Sequence, residues 1–159
     1  MADNFRPNAG IVVFNKEGKV LLCKRSDEDD AWQFPQGGIE RGETASIAAQ
    51  RELWEETSLK NVKLIKTLKE SAPYRFPPDV LALTKSRGWN YVGQKMYWSL
   101  FYFCGDDSEI NLNTEGHEFS EYRWDTLESA YQLIVDFKKT AYATAVKAFT
   151  PLIKEYLQK

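Results

Sequence analysis

The chain has 159 residues, 43% hydrophobic and 14% aromatic, enough to fill one core and short for two, so a single domain over 1–159 is expected. Lys and Arg number 21 against 23 Asp and Glu, and the net charge of -2 excludes the broad basic footprint that grips duplex DNA. No apolar run approaches a membrane span, MADNFRPNAG lacks the apolar stretch of a secretion signal, and Cys23 and Cys104 have no metal-ligand spacing; a reduced cytoplasm is the expected setting.

In chain order, AGIVVFNKEGKVLLCKR reads as two β-rich runs joined by a polar turn, with Gly18 where a hairpin often needs positive φ. WQFPQGG then breaks regular structure at Pro35 and the Gly37-Gly38 pair. From about Thr44 to Thr57 the chain has no Pro or Gly and is rich in Ala, Glu, Leu and Gln, which predicts a helix. NVKLIKTLKE alternates like a strand, SAPYRFPPD reads as a Pro-punctuated loop, and YVGQKMYWSLFYFCG predicts a well-buried strand. HEFSEYRW reads as a loop entering a short strand. From Thr126 onward TLESAYQLIVDFKKTAYATAVKAF has helical character, and Pro151 is expected to break it or to start a new helix at PLIKEYL. The amphipathic pattern there suits packing onto a sheet or a dimer interface equally. No internal repeat, low-complexity tract or linker stands out.

The helix over 44–57 carries Glu52, Glu55 and Glu56 at i, i+3 and i+4, so three like charges share one face. Two explanations fit that spacing. One is a solvated acidic face softened by Arg51, four residues before Glu55. The other is a hard cation: Mg²⁺ prefers carboxylate oxygens, keeps several waters and bridges to substrate phosphates. The preceding residues favour the cation. Gly37 and Gly38 let backbone approach a ligand, Gly42 permits a sharp turn, Glu43 suits the positive end of the helix, and Ala45, Ala48 and Ala49 leave room for a loop to pack.

The run over 37–59 has Gly37, five residues, Glu43, seven residues, Arg51-Glu52-Leu53, one residue, Glu55-Glu56, one residue and Ser58-Leu59. It resembles the Nudix box of hydrolases that cleave nucleoside diphosphates linked to another group, with Ser58 where the pattern has Gly. FRPNAGIVVFN, WQFPQGG, GQK, HEFSEYRW and DFKKTAY are similar to segments of the bacterial RNA pyrophosphohydrolases and the related dinucleoside polyphosphate hydrolases of that family. The resemblance implies an α/β fold, a mixed β-sheet sandwiched between α-helices. It implies removal of pyrophosphate from 5′-triphosphorylated RNA, leaving a monophosphate, or else hydrolysis of (di)nucleoside polyphosphates.

The same resemblance assigns residues. Glu52, Glu55 and Glu56 would hold Mg²⁺ or Mn²⁺ with a backbone carbonyl near Gly37 or Gly38, while Glu43 and Arg51 would brace the loop against the helix. Glu118 would complete the metal site or act as base, with Glu56 the other candidate base and nearby Glu121 still open. Arg6, Arg25 and Lys95 would hold phosphates. Tyr74, Val135, Phe137 and Lys138 would surround a purine, Phe137 by stacking and Lys138 by donating a hydrogen bond. On the residues alone, these side chains also suit core or surface positions.

Other chemistries lack their parts. His117 is the only histidine, no GxSxG elbow accompanies it, and WQFPQGGIERGE lacks the Gly-Lys-Ser/Thr end of a phosphate-binding P-loop. A nucleotide- or RNA-end-binding module without catalysis is the rival of another class; the complete glutamate trio argues against it.

Overall fold

The computed structural model describes residues 4–28 and 30–159, so residues 1–3 and 29 of the expected domain lie outside the described set. Strand β1 (Phe5–Phe14) turns into β2 (Val20–Arg25) through a hairpin whose Gly18 has φ +77. The Asn15 side chain ties that turn by accepting from the Glu17 and Lys19 N–H groups at 3.0 and 3.1 Å. Short strands β3 (Trp32–Gln33) and β4 (Gln36–Gly38) precede helix α1 (Ala45–Thr57). After β5 (Val62–Thr67) come β6 (Ala72–Arg75), helix α2 (Pro78–Ser86), β7 (Gly93–Phe103) and β8 (Phe119–Asp125). The chain ends in α3 (Leu127–Leu133) and α4 (Lys139–Leu157).

The eight strands form one mixed sheet in which β1 and β7 are the parallel centre, in unbroken register from Phe5 opposite Gly93 to Phe14 opposite Tyr102. The other pairings are antiparallel. Because side chains alternate across a strand, β1 and β7 feed two separate cores. Ala9, Ile11, Val13, Phe101 and Phe103 meet Ala48, Ala49 and Leu53 of α1 on one face. Val12, Phe14, Met96, Trp98 and Leu100 meet Tyr142, Ala145 and Phe149 of α4 on the other. This is the helix–sheet–helix sandwich expected, and the apolar stripe of α4 serves packing onto the sheet.

Two segments depart from the sequence reading. SAPYRFPPD contains β6, whose Ala72 and Tyr74 point inward while Pro73 and Arg75 point out. A strand along one edge of β7 tolerates a proline because it has an unpaired side. Helix α2 follows directly, with Pro78 at its start, Asp79 in its first turn and Lys85 in its last. All three are helix-boundary signals, and none of its residues is buried.

The C-terminal break is also displaced. Ile134 and Val135 turn extended, and a single 3-10 turn over Asp136–Lys138 leads into α4, which runs unbroken through Pro151. Burial holds α4 together, since Phe149 and Ile153 sit in the core on both sides of the proline. Pro151 has no N–H for the Lys147 carbonyl, but Lys147 is exposed and water can satisfy it. Pro151→Ala is therefore expected to stabilise the protein by about 1–3 kcal/mol, raising the melting temperature by about 5 °C. A melt at or below the wild-type value would show that the proline is already relaxed. Among the described residues no helix is long and apolar enough to cross a membrane.

Candidate active site

The ends of α1 set the geometry. Thr44, not Glu43, is the N-cap, its Oγ1 accepting from the Ile47 N–H at 3.3 Å. Glu43 stands just outside the helix and is free to turn toward Arg51. At the other end Ser58 takes the left-handed conformation that the box normally gives to Gly, with φ 67. Its hydroxyl donates to the Asn111 carbonyl at 3.0 Å, which offsets part of the backbone cost.

Arg51 organises the acidic face. Its Nε and Nη2 grip Glu43 in a fork at 2.7 and 2.9 Å, its Nη1 reaches Glu52 at 2.8 Å and Glu55 at 3.2 Å, and its Nη2 also donates to the Gly38 carbonyl at 2.9 Å. The Glu40 N–H adds a third donor to Glu43, at 2.8 Å. These bonds, Arg51's first, hold the Glu43 carboxyl down to about 2. The bracing pair and the softened acidic face both exist, through one guanidinium. In the β1–β4 ladder Ile11 donates to Pro35 and Ile39 to Pro7. Alternation then makes Ala9 and Gly37 a bonded pair, so the Gly38 carbonyl is the one that faces outward. Gly37 supplies room: a Cβ there would overlap the Glu52 carboxyl.

Glu52, Glu55 and Glu56 each offer an oxygen within 4.8 Å of the others. Burial pushes the Glu52 carboxyl up against the pull of Arg51. Glu56 is pushed up to about 7, by burial first and then by the charges of Glu118 and Glu52. Its Oε2 is buried with no donor near it. Glu118 hydrogen-bonds to Glu56 and is itself raised by burial, with the Arg25 charge opposing. Such a carboxyl has two remedies: carry a proton and donate it to Glu118, or meet a cation. The orphaned oxygen, the all-carboxylate donor set and the close approach of Glu52 to the backbone that Gly37 permits fit a divalent ion. A divalent ion bound there would neutralise phosphoryl charge and lower the pKa of a water. Glu121, the other open candidate, instead pairs with Lys24 at 3.0 Å on the β2–β8 ladder.

Across the sheet the second group of expected residues converges in part. The Tyr74 and Phe137 rings lie 5.7 Å apart, with the Lys138 Nζ over Tyr74 at 5.7 Å and over Phe137 at 5.9 Å. Lys138 is only 8% exposed, and burial followed by the Arg25 charge lowers it to about 8. Val135, on the turn entering this corner, is 49% exposed. Arg6 stacks over Trp89 at 4.8 Å and fills the space that Gly38 leaves by having no Cβ. Arg25 is forked to Asp27 at 3.0 and 2.8 Å. Lys95 stands apart: the register sets it opposite Pro7, one position out of phase with Arg6, on the α1 face of the sheet.

Several members of this corner were not anticipated. The Tyr74 hydroxyl donates to the Gln94 side-chain oxygen, which also accepts from Gln36 Nε2 at 3.1 Å. Burial raises the phenol to about 12, so the donor keeps its proton. Trp89, the platform under Arg6, follows α2 and carried no sequence signal. From the GQK segment only Lys95 is expected in the site; the pairing of β6 with β7 sets its neighbour Gln94 beside Tyr74.

The chain belongs to the NUDIX domain family, whose model matches residues 4–146. It is a hydrolase of that family, acting on nucleotide or related diphosphate substrates through metal-activated chemistry. It is 41% identical over 155 residues to the RNA pyrophosphohydrolase of Wolbachia sp. subsp. Drosophila simulans (strain wRi), covering 96% of this chain and 93% of that one. To the RNA pyrophosphohydrolase of Caulobacter vibrioides (strain NA1000 / CB15N) it is 43% identical over 148 residues, covering 91% and 85%. Among solved structures, E. coli dihydroneopterin triphosphate pyrophosphohydrolase matches with TM-score 0.69 at 21% identity, covering 92% of this chain and 99% of that one. A C. elegans Ap4A hydrolase binary complex matches at 0.63 and 22%, covering 92% and 98%. At that identity the two structures speak to the fold alone.

Proposed function

We propose that the protein removes pyrophosphate from the 5′-triphosphate end of RNA, leaving a 5′-monophosphate, in the cytoplasm and with Mg²⁺ or Mn²⁺. One observation carries the reading: Glu118 touches the acid cluster through Glu56 and feels the charges of Arg25 and Lys138. A phosphate chain on the glutamates and a purine at Tyr74, Phe137 and Lys138 are then neighbours. The curated relatives, similar over almost their whole length, are RNA pyrophosphohydrolases.

Water forms the new P–O bond, the anhydride P–O bond breaks, and pyrophosphate leaves with the bonding electrons. The proton from water passes to a carboxylate, and Glu56 with Glu118 is the pair placed to share it. Glu52 and Glu55 complete the cation site, with a backbone carbonyl of the Gly37-Gly38 pair beside them. Arg6 and Arg25 hold phosphate oxygens from the purine side and Lys95 from the α1 side. Val135 walls the purine and Phe137 stacks on it.

Purified protein is incubated with Mg²⁺ and triphosphorylated RNA, diadenosine tetraphosphate or GTP in parallel. The expected kcat/KM for RNA exceeds that for either free nucleotide at least about tenfold, since an RNA end adds stacking contacts. A larger kcat/KM for diadenosine tetraphosphate or GTP overturns the RNA assignment and leaves the hydrolase standing.

A further inference from the structure

Helix α2 buries none of its residues, whereas a surface helix ordinarily hides an apolar stripe. The turn that follows it is nevertheless closely built. The Arg87 and Gly88 N–H groups donate to the Thr84 and Lys85 carbonyls at 3.1 and 3.0 Å, Gly88 takes φ +84, and the Trp89 N–H returns to Thr84 at 2.9 Å. The N-terminal strand pins the same loop from the other side. Asn4 Nδ2 donates to the Asn90 carbonyl at 2.7 Å, and the Val92 N–H to the Asn4 carbonyl at 2.8 Å. The backbone is held at both ends while Arg87, Trp89 and Asn90 stand exposed.

What this loop displays is aromatic and basic. Trp89 is 38% exposed, with the Arg6 guanidinium over its ring at 4.8 Å and the Tyr91 ring edge-on at 5.9 Å. Around the end of β1, on the opposite face, Arg75 stacks over Phe5 at 5.4 Å. Between Ala72 and Lys95 the cations Arg75, Lys85, Arg87 and Lys95 meet a single acid, Asp79, in a chain whose net charge is -2. Interleaved cations and aromatic faces suit single-stranded nucleic acid, whose phosphodiesters take the charge and whose unpaired bases stack. Leu83 is the one large apolar side chain of α2 that stands exposed, which is little for the core of a protein–protein interface.

Arg6 joins this surface to the acid cluster. Its guanidinium lies against Gly38, where a Cβ would overlap it. The Gly38 carbonyl accepts from Arg51 Nη2 at 2.9 Å, and Arg51 also holds Glu52 and Glu55. The register sets Arg6 opposite Gln94, whose side chain accepts from the Tyr74 hydroxyl. Arg6 thus borders the glutamate loop, the Tyr74 corner and Trp89 at once. An RNA chain leaving the corner meets Trp89 by way of Arg6.

We infer that the surface around Trp89 holds the single-stranded RNA downstream of the 5′ end, with unpaired bases on Trp89 and phosphodiesters on Lys85 and Arg87. The inference rests on the RNA reading of the site. It adds to that reading the surface that tells a long RNA from a nucleotide.

The test is calorimetry with Mg²⁺ on 5′-monophosphorylated RNA, which is not consumed: a dinucleotide against an unpaired oligonucleotide of about eight residues. Wild type is expected to bind the longer RNA at least about tenfold tighter. Trp89→Ala should shrink that ratio to about twofold or less, and Trp89→Phe should keep most of it. Arg87→Ala should leave the dinucleotide affinity unchanged and make the log–log salt slope for the longer RNA shallower by about 0.7. Equal wild-type affinities overturn the assignment. So does a Trp89→Ala loss of the same size for both RNAs, which would make Trp89 only the support of Arg6. A ratio unchanged by Trp89→Ala overturns it too, and if that variant also dissolves a dimer in sedimentation, the surface belongs to a second copy of the chain. Wild-type turnover of triphosphorylated RNA reports separately on the proposed function, so the two readings fail by different measurements.

Discussion

Replacing Glu56 with glutamine is expected to leave a folded protein whose turnover falls about a thousandfold and whose Mg²⁺ affinity no longer depends steeply on pH. Glu56 is 9% exposed, with one oxygen lacking any donor, and burial with the Glu118 charge raises it to about 7. A cation must displace that proton. Below pH 7, each unit of acidification should therefore cost wild type about tenfold in Mg²⁺ affinity; above pH 7 the affinity levels off. Stability without metal moves in the opposite sense. The unfolded carboxyl titrates at 4.5 and the folded one near 7, so in that window the native state keeps a proton the unfolded chain has lost. Metal-free stability thus falls as pH rises from 4.5 to 7, by on the order of 2 kcal/mol, and is flat above. Glutamine removes the Glu56 share of both slopes, leaving the smaller share of Glu52 and Glu118, which burial also raises. Mg²⁺ calorimetry at pH 6, 7 and 8, with melts in chelator over the same range, measures them. Glu55→Gln is the control, expected to lower turnover while the slopes persist. Equal wild-type Mg²⁺ affinity at pH 6 and 8 would remove Glu56 from the ion site.

The parts of this site that were legible in the sequence are those set by local spacing. Glu52, Glu55 and Glu56 share a face because a helix places i, i+3 and i+4 together, and no distant residue is needed to know it. The same holds for the hairpin around Gly18 and for Arg51 beside Glu55. What stayed hidden depends on partners far away in the chain. Pro73 looks like a loop residue until β7 supplies the edge on which β6 pairs, and Pro151 looks like a helix break until Phe149 and Ile153 are seen buried on both sides. Lys95 carried a phosphate-binding expectation alongside Arg6, yet the β1–β7 register puts the two on opposite faces. Trp89 gave no signal, because Arg6 and Asn4, which fix its surroundings, stand at the start of the chain.

Arg51→Met is expected to cost about 2–3 kcal/mol of stability in metal-free protein, a fall of about 4–12 °C in melting temperature. The Arg51 side chain is 23% exposed, between an open surface pair and a fully buried one, and it serves Glu43, Glu52, Glu55 and the Gly38 carbonyl together. Methionine keeps much of the volume and removes every donor, leaving a cluster of carboxylates with no fixed positive charge among them. Saturating Mg²⁺ should restore part of the loss, because the ion supplies charge to Glu52 and Glu55 but does not reach Glu43. Arg51→Lys should fall between wild type and Met, since an ammonium keeps the charge without the fork that grips Glu43. A double-mutant cycle with Glu43→Gln isolates the bracing pair: the two substitutions together should cost less than their sum by about 1–2 kcal/mol. Additivity within about 0.3 kcal/mol, or an Arg51→Met melt within about 1 °C of wild type in chelator, would show that the helix holds its glutamates without the guanidinium. Turnover separates bracing from charge: if position matters, Arg51→Met stays slow even when Mg²⁺ has restored its melting temperature.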